Sequence, residues 1–167
     1  STIEWPAIVE STLETGTIAY AVSHPTTFIT LNTNNYDWYY TGSEDTDDTR
    51  WTTSESESVK SIYDPCPAGW RVPDGGIEIW YKSGFDGTDY DGTSEGISFI
   101  NSDLELWYPA AGYRDYYYGS LNDVGFIGYY WSATPIGSNA YSLFFDSSGY
   151  VNPSSSNYRA YGYSVRC

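Results

Sequence analysis

The chain lacks methionine, has one histidine and contains few basic residues. Its 167 residues include 22 acidic and 7 basic side chains, so the formal net charge is −15 at pH 7. That charge repels phosphate backbones and anionic lipid headgroups, and we expect no nucleic-acid partner. Because methionine is absent even from position 1, we expect a processed or trimmed product with a signal or anchor upstream of Ser1.

Long apolar runs are absent as well. No run approaches the roughly 18 to 20 residues that a membrane-spanning helix needs, so we expect no direct membrane insertion by this chain. The apolar fraction of 40% is still large enough to form a core, and the length suits one domain rather than two.

Signatures of catalysis are weak. His24 lies between Ser23 and Pro25 with no nucleophile motif nearby, so a histidine-based triad is not supported. Glycosidase chemistry requires only two carboxylates at a set separation, and 22 acidic residues supply chance pairs. A glycan-active enzyme is therefore a distant alternative, and we expect no enzymatic activity.

Calcium is the one metal for which the sequence offers oxygen ligands. Asp86, Asp89, Asp91 and Glu95 alternate with glycines, but their spacing does not fit an EF-hand loop. A solvated acidic loop is the simpler interpretation. No motif supports a calcium site, so we expect neither a metal nor a cofactor.

Cys66 and Cys167 are the only cysteines. They lie 101 positions apart, which is too far for a zinc-knuckle or redox CxxC spacing. A disulfide is one interpretation, and it would place the protein outside the cytosol. Two separate buried thiols are the other.

Aromatic residues make up 19% of the chain, which favours strands and loops over helices. One short helix is predicted after Asp74, where Ile77, Trp80 and Tyr81 have i, i+3, i+4 spacing. Residues 84–96 predict a Gly/Asp/Thr loop. Short strands are predicted at residues 97–100, 104–108, 129–132, 141–145 and 161–167. The predicted fold class is α+β, with short, mostly antiparallel strands, one or two short helices and long loops.

The C-terminal third is rich in tyrosine. Eleven of the 19 tyrosines lie between residues 113 and 163, among many serines, glycines and asparagines. Antibody paratopes have a similar composition, because tyrosine supplies a large contact area at low entropic cost. Three consecutive tyrosines at 116–118 cannot all point inward, so at least one should be exposed. We predict a partner-binding surface, and the alternative is a tyrosine-rich core.

Strand alternation supports the surface interpretation at residues 141–146. It places Tyr141, Leu143 and Phe145 on a core-like face. The opposite, outward face then carries Ser142, Phe144 and Asp146.

Several motifs resemble the Fibrobacter succinogenes major paralogous domain, a family of exported bacterial proteins with a C-type-lectin-like fold. The matching pieces are PTTFI at 25–29, KSIYDPCPAGWRVP at 60–73, YPAAGYR at 108–114, YWSAT at 130–134 and GYSVRC at 162–167. The resemblance implies a C-type-lectin-like domain at residues 25–167, preceded by an N-terminal extension or edge strand at residues 1–24. In that fold the two ends of the domain lie side by side, which agrees with a Cys66–Cys167 bridge.

Some gut-bacterial members of this family resemble the variable proteins of diversity-generating retroelements, in which adenine-directed mutagenesis rewrites a C-terminal cassette. The resemblance implies a variable region at about residues 113–163. Its expected ligand-binding residues are Asp115, Tyr116, Tyr118, Phe126, Ile127, Tyr129, Ser138, Tyr141, Ser142, Phe144, Asp146, Tyr150, Tyr158 and Tyr161.

The expected function is that of an extracytoplasmic adhesin-like or receptor-like domain, carried at the cell surface by a lipoprotein or pilus-like protein. Its partner would be a protein or a glycan, since aromatic side chains suit both. The alternative is a structural subunit that assembles with copies of itself through the same aromatic surface.

Overall fold

The computed structural model describes residues 7–44, 46–51, 59–75, 88–100, 102 and 104–167. Within these ranges the protein consists mainly of small β-sheets with very little helix, which is compatible with the α+β expectation. No helix in the described part of the chain is long and apolar enough to cross a membrane. The helix predicted after Asp74, with Ile77, Trp80 and Tyr81, lies outside the described residues.

The N-terminal stretch forms a strand and a helix. Strand β1 (Ala7–Val9) pairs in parallel with β2 (Thr27–Ile29), and helix α1 (Ile18–Ser23) lies between them in sequence. The helix begins where the Thr17 hydroxyl accepts a hydrogen bond from the Tyr20 N–H at 3.1 Å. Six residues are too few to show helical periodicity, so the sequence pattern did not indicate this helix.

The first larger sheet is an antiparallel meander with the order β3 (Thr88–Asp91), β4 (Gly96–Ile100) and β5 (Glu105–Pro109). The strands predicted at 97–100 and 104–108 are confirmed. The loop predicted at 84–96 is wrong at residues 88–91, which form β3, whereas residues 92–95 do form a turn. Tyr90 pairs with Ile97 and packs against the core, and this burial outweighs the low strand propensity of the surrounding glycines and aspartates.

A small hairpin follows, formed by β6 (Tyr113–Arg114) and β7 (Leu121–Asn122). Arg114 exchanges two backbone hydrogen bonds with Gly162, at 2.9 and 3.0 Å. Glycine is required at 162 because a Cβ there would lie 2.7 Å from the Phe28 ring and 2.8 Å from the Arg114 Cβ. The hairpin is thereby joined closely to the C-terminal segment.

The second larger sheet is antiparallel and has the order β8 (Ile127–Ile136), β9 (Asn139–Asp146) and β10 (Val151–Tyr158). The strands predicted at 129–132 and 141–145 are confirmed, and both extend further. Strand β10 was not predicted because its sequence, VNPSSSNY, has few strand-forming residues. It lies at the sheet edge, where Pro153 is tolerated beside a register shift between Asn152 and Ser155.

Residues 161–167 do not form the predicted strand. Gly162 makes an isolated bridge to Arg114, and Ser164 makes another to Tyr130. Because the segment changes partner within three residues, it forms a continuous ladder with neither.

The main core contains side chains from both larger sheets. Leu143 and Phe145 are fully buried, as the alternation in β9 predicted. The buried members of the core are Ile97, Phe99, Tyr108, Ala110, Tyr130, Leu143 and Phe145. The core therefore joins the meander to the sheet that carries most of the tyrosines.

A disulfide joins Cys66 to Cys167, which confirms that interpretation of the two cysteines over separate thiols. Cys66 packs with Val72 and Ala133 in a second buried cluster, with Trp51 against it. The bridge anchors the chain end to this cluster.

Asp64 organises the turn that carries Cys66. Its buried carboxylate accepts hydrogen bonds from the Lys60 ammonium at 2.6 Å and from the N–H groups of Cys66 and Val72 at 2.8 and 2.9 Å. Burial opposes ionisation, but these bonds and the Lys60 charge outweigh it and hold the pKa of Asp64 below its ordinary value. The ionised carboxylate thus fixes the path of the turn.

Candidate binding surface

Ten aromatic rings, nine of them from residues 113–163, form a continuous series of contacts, and we call this series the aromatic strip. Neighbouring ring centroids lie between 4.3 and 6.2 Å apart, the range in which aromatic pairs attract. Its members are Tyr36, Tyr158, Tyr116, Tyr161, Tyr163, Tyr113, Tyr129, Trp131, Phe144 and Tyr150.

The centre of the strip is set by strand register. Tyr129 of β8 pairs directly with Phe144 of β9, so the two rings share a face with centroids 4.9 Å apart. Trp131 lies two residues further along β8 and therefore points to the same face. Tyr163 lies against this face, 4.3 Å from Tyr129 and 4.4 Å from Trp131. A backbone bond of 3.1 Å from the Ser164 N–H to the Tyr129 carbonyl keeps the segment there.

One end of the strip lies where the hairpin meets β10. The Tyr116 ring lies 4.7 Å from that of Tyr161 and 5.3 Å from that of Tyr158. Tyr36 stacks on Tyr158 with 4.7 Å between centroids. Its φ is 55°, a left-handed conformation that tyrosine rarely adopts, and such strain often accompanies functional sites.

Solvent reaches the strip unevenly. Tyr150 and Tyr36 at its two ends are 57% and 42% exposed, whereas Trp131 is buried. The remaining members are half-buried. Since each ring is held by its neighbours, the accessible parts of these side chains are presented with little conformational freedom.

The phenol groups at the centre of the strip stay protonated. Burial, with the nearby Tyr116 and Asp115 adding to it, raises the pKa of Tyr161 to about 12. Burial also raises the pKa of Tyr163 and of Tyr129. At neutral pH these hydroxyls are therefore uncharged groups that can both donate and accept hydrogen bonds.

The structure brings some of the predicted site residues together and leaves others apart. Tyr118, Phe126 and Ser138 are exposed outside the strip, and Ile127 and Tyr141 are half-buried. Six of the fourteen belong to the strip: Tyr116, Tyr129, Phe144, Tyr150, Tyr158 and Tyr161.

Two predicted site residues stabilise turns. Asp115 Oδ1 accepts hydrogen bonds from the N–H groups of Tyr117 and Tyr118, at 2.8 and 2.7 Å. Asp146 Oδ1 accepts one from the Ser148 N–H at 2.8 Å, and the Ser148 hydroxyl holds the pKa of Asp146 below its ordinary value. Tyr117 and Tyr118 are 55% and 72% exposed, which confirms that the three consecutive tyrosines do not all point inward.

The outward assignment of Ser142 is wrong, because its side chain is fully buried. Strand β9 is central, and Ser142 lies opposite Trp131 of β8 and Ser155 of β10. Its hydroxyl donates to the Ser155 carbonyl at 3.4 Å and accepts from the Asn157 amide at 3.4 Å. A small side chain in a central strand is covered by its larger neighbours, so alternation alone did not give its exposure.

Four strip members were missed as site residues. Tyr163 follows Tyr161 by two residues, and this spacing was a usable signal. Tyr113 and Trp131 lie within motifs that resemble the family, YPAAGYR and YWSAT, and were not chosen as site residues. Tyr36 is distant in sequence, and no local pattern links it to the C-terminal third.

A metal centre is not seen in the described ranges, where no group of three or more potential ligands comes together. Asp89 and Asp91 on β3 and Glu95 in the following turn are exposed. Asp86, the fourth residue considered for calcium, lies outside the described residues.

Comparison with protein-family models, with curated proteins and with solved structures gives no match for this chain. The C-type-lectin-like fold and the family resemblance therefore stay predictions. We base the functional proposal on the geometry of the aromatic strip.

Proposed function

We propose that the protein is a non-enzymatic, extracytoplasmic binding domain that recognises its ligand through the aromatic strip. The observation that carries this proposal is the unbroken series of ring contacts from Tyr36 to Tyr150. A purely structural core would bury both ends of such a series. Here both ends are open to solvent.

Recognition would depend on rings that are already ordered before the ligand arrives. Tyrosine and tryptophan are the side chains most often found at interaction hot spots, where they fill pockets at low entropic cost. The protonated hydroxyls of Tyr129 and Tyr161 add directional hydrogen bonds without adding charge. Such a surface suits a protein or a glycan with few charges.

The disulfide supports an extracytoplasmic location, because such bonds persist in oxidising compartments. We also propose a C-type-lectin-like domain related to the Fibrobacter succinogenes major paralogous domain, on the strength of the five matching motifs.

A retroelement-type variable region is part of the same proposal, and side-chain exposure favours particular positions in it for variation. Tyr118, Phe126, Ser138 and Tyr150 are exposed and would tolerate variation, whereas buried Ser142 would not.

A paired screen tests the proposal. Labelled protein would be applied to a glycan microarray and to an array of purified extracellular proteins. A double variant, Tyr150→Ser with Tyr158→Ser, removes two strip rings, and Tyr63→Ser removes an exposed tyrosine outside the strip. We expect the native protein and the Tyr63 variant to share ligands that the strip variant loses. Equal binding by all three proteins would contradict the proposal.

Light scattering separates ligand binding from self-assembly. A monodisperse monomer at high concentration is expected for a free binding face. Stable oligomers that the strip variant disrupts would instead support the structural-subunit alternative.

A further inference from the structure

A cavity of about 370 Å³ adjoins the strip and shares Trp131, Tyr161 and Tyr163 with it, but most of its lining residues lie outside the strip. Its walls come from α1, β2, β8, β9, the C-terminal segment and residues 37–38, 47–48 and 50–51. Small-molecule sites in proteins have volumes of about 300–1,000 Å³, so this cavity lies at the lower end of that range. It is large enough for a small ligand.

Three tryptophans line the cavity: Trp38, Trp51 and Trp131. Trp131 is buried, and the other two are half-buried. Indole faces carry partial negative charge and pack well against groups whose C–H bonds point outward, such as the faces of a pyranose ring. Apolar walls of this kind favour a flat, uncharged ligand.

The charged part of the lining contains one more acidic than basic side chain. It contains the carboxylates of Asp37, Asp47 and Asp48 and the guanidinium groups of Arg50 and Arg159. Arg50 pairs with Asp47 at 3.1 Å, and Arg159 pairs with Asp48. Each arginine therefore has a carboxylate partner, and the acidic chain as a whole repels a free anion. The buried Nη1 of Arg50 has no hydrogen-bond partner in the described part of the chain, so it can donate to an acceptor such as a ligand hydroxyl.

Arg159 holds the cavity wall in place. Its guanidinium also donates to three backbone carbonyls, those of Asp47 at 3.2 Å, Gly137 at 2.8 Å and Asn139 at 3.1 Å. These bonds link the acidic loop to the turn between β8 and β9. A polar wall that is fixed in advance lowers the entropic cost of binding a ligand.

Asp37 supplies a buried carboxyl group. Its side chain is almost fully removed from solvent, and Oδ1 accepts a bond of 3.2 Å from the Tyr39 N–H. Burial raises the pKa of Asp37 despite that bond and the nearby Arg159 and Arg50. A ligand hydroxyl offers such a carboxyl group a partner that can donate or accept.

We propose that this cavity binds a neutral saccharide of one or two pyranose rings, which stacks on the tryptophans and hydrogen-bonds to Asp37 and Asp48. The cavity shares three lining residues with the strip, but the proposed function rests on the exposed rings at the two ends of the strip, Tyr36 and Tyr150, which do not line the cavity. Failure of the saccharide proposal would therefore leave the proposed function of the strip unaffected.

Saturation-transfer NMR with individual sugars tests the site. The neutral probes are galactose, mannose, N-acetylglucosamine and lactose, and glucuronate and glucosamine are the charged comparisons. Each would be present at about 20 mM, well above a weak dissociation constant of about 1 mM. We expect saturation transfer to at least one neutral sugar and weaker transfer to its charged counterparts.

Two variants locate the binding. Trp51→Ala removes a stacking wall, and Ala140→Phe fills the cavity without deleting a polar contact. Both should weaken sugar binding by at least about tenfold. Ala140→Phe keeps the test valid if Trp51→Ala, which also removes packing near Cys66, fails to fold.

The matched control is Trp70→Ala, since Trp70 is 63% exposed and does not line the cavity. It should bind sugar as the native protein does. The proposal is overturned if no neutral sugar receives saturation, if charged sugars bind more strongly, or if folded Ala140→Phe binds as tightly as the native protein.

Discussion

The ring of Tyr163 stacks on the ring of Tyr129, with 4.3 Å between centroids and 10° between planes. Tyr163 belongs to the C-terminal segment and Tyr129 to β8, so this contact fastens the end of the chain to the sheet. The disulfide at Cys167 fastens the same segment a second time. The residues proposed to recognise a ligand therefore also hold the fold together.

Replacing Tyr163 should cost stability because its ring contacts several others. Tyr163→Ala is expected to lower the free energy of unfolding by about 2–4 kcal/mol, through lost burial and ring contacts. Tyr163→Phe keeps the ring and should change the free energy of unfolding by less than about 1 kcal/mol. Urea denaturation of the two variants and the native protein makes the comparison. Equal losses for both substitutions would show that the hydroxyl, not the stack, matters.

Alkaline pH should unfold the protein through its buried tyrosines. Burial is the main cause that raises the pKa of Tyr108, Tyr130 and Tyr161 to about 12, against about 10 in an unfolded chain. A raised folded-state pKa means that the stabilisation is complete below pH ~10 and is lost as the pH rises towards ~12.

Absorbance titration of the phenolate and thermal unfolding at several alkaline pH values would measure this loss. Tyr118→Phe, which changes an exposed ring, is the control variant. A midpoint of unfolding that stays constant from pH 9 to pH 12 would contradict the prediction.

The hydrogen bonds of the Asp64 carboxylate predict the opposite pH dependence, a loss of stability in acid. Asp64→Asn should lower the free energy of unfolding by about 2–4 kcal/mol, because Lys60 loses its buried partner and two N–H groups lose a charged acceptor. Because its folded-state pKa is lowered, Asp64 stabilises the protein above its unfolded value near 3.9 and ceases to do so as the pH falls through the folded value.

Guanidinium denaturation between pH 2 and pH 7 would reveal this contribution. The control is Asp89→Asn, which alters an exposed carboxylate in β3. Equal stability of Asp64→Asn and Asp89→Asn at pH 7 would contradict the prediction.

Burial of Ser142 predicts which positions accept variation. Ser142→Tyr forces a large ring into a filled site in central strand β9 and should cost more than about 2 kcal/mol. Tyr150→Ser, at an exposed position, should change the free energy of unfolding by less than about 1 kcal/mol. Thermal unfolding of both variants tests the contrast. A stable Ser142→Tyr protein would return Ser142 to the candidate surface.

The sequence indicated those elements whose signals are local. Alternation identified Leu143 and Phe145 as core, and the runs around Phe99, Leu106 and Tyr130 identified strands. The sequence did not indicate β10, because this strand is rich in serine and asparagine and forms through its pairing with β9. Nor did it show that the segment after Tyr161 changes partner, since that depends on Arg114 and Tyr130.

The same distinction holds for the candidate site. Composition indicated a tyrosine surface, and six predicted residues do belong to the strip. Ser142 was misplaced because exposure depends on the size of neighbours across the sheet. Tyr36 was missed because its contact with Tyr158 joins distant parts of the chain. Long-range packing of this kind leaves no periodic pattern in the sequence.

The most direct test of the central claim is the affinity of three proteins for the strongest ligand from the arrays, measured by biolayer interferometry. They are the native protein, the Tyr150→Ser/Tyr158→Ser strip variant and the Tyr63→Ser control. Our account predicts that the strip variant binds at least about tenfold more weakly while the control matches the native protein. A strip variant that stays folded and binds with native affinity would contradict it.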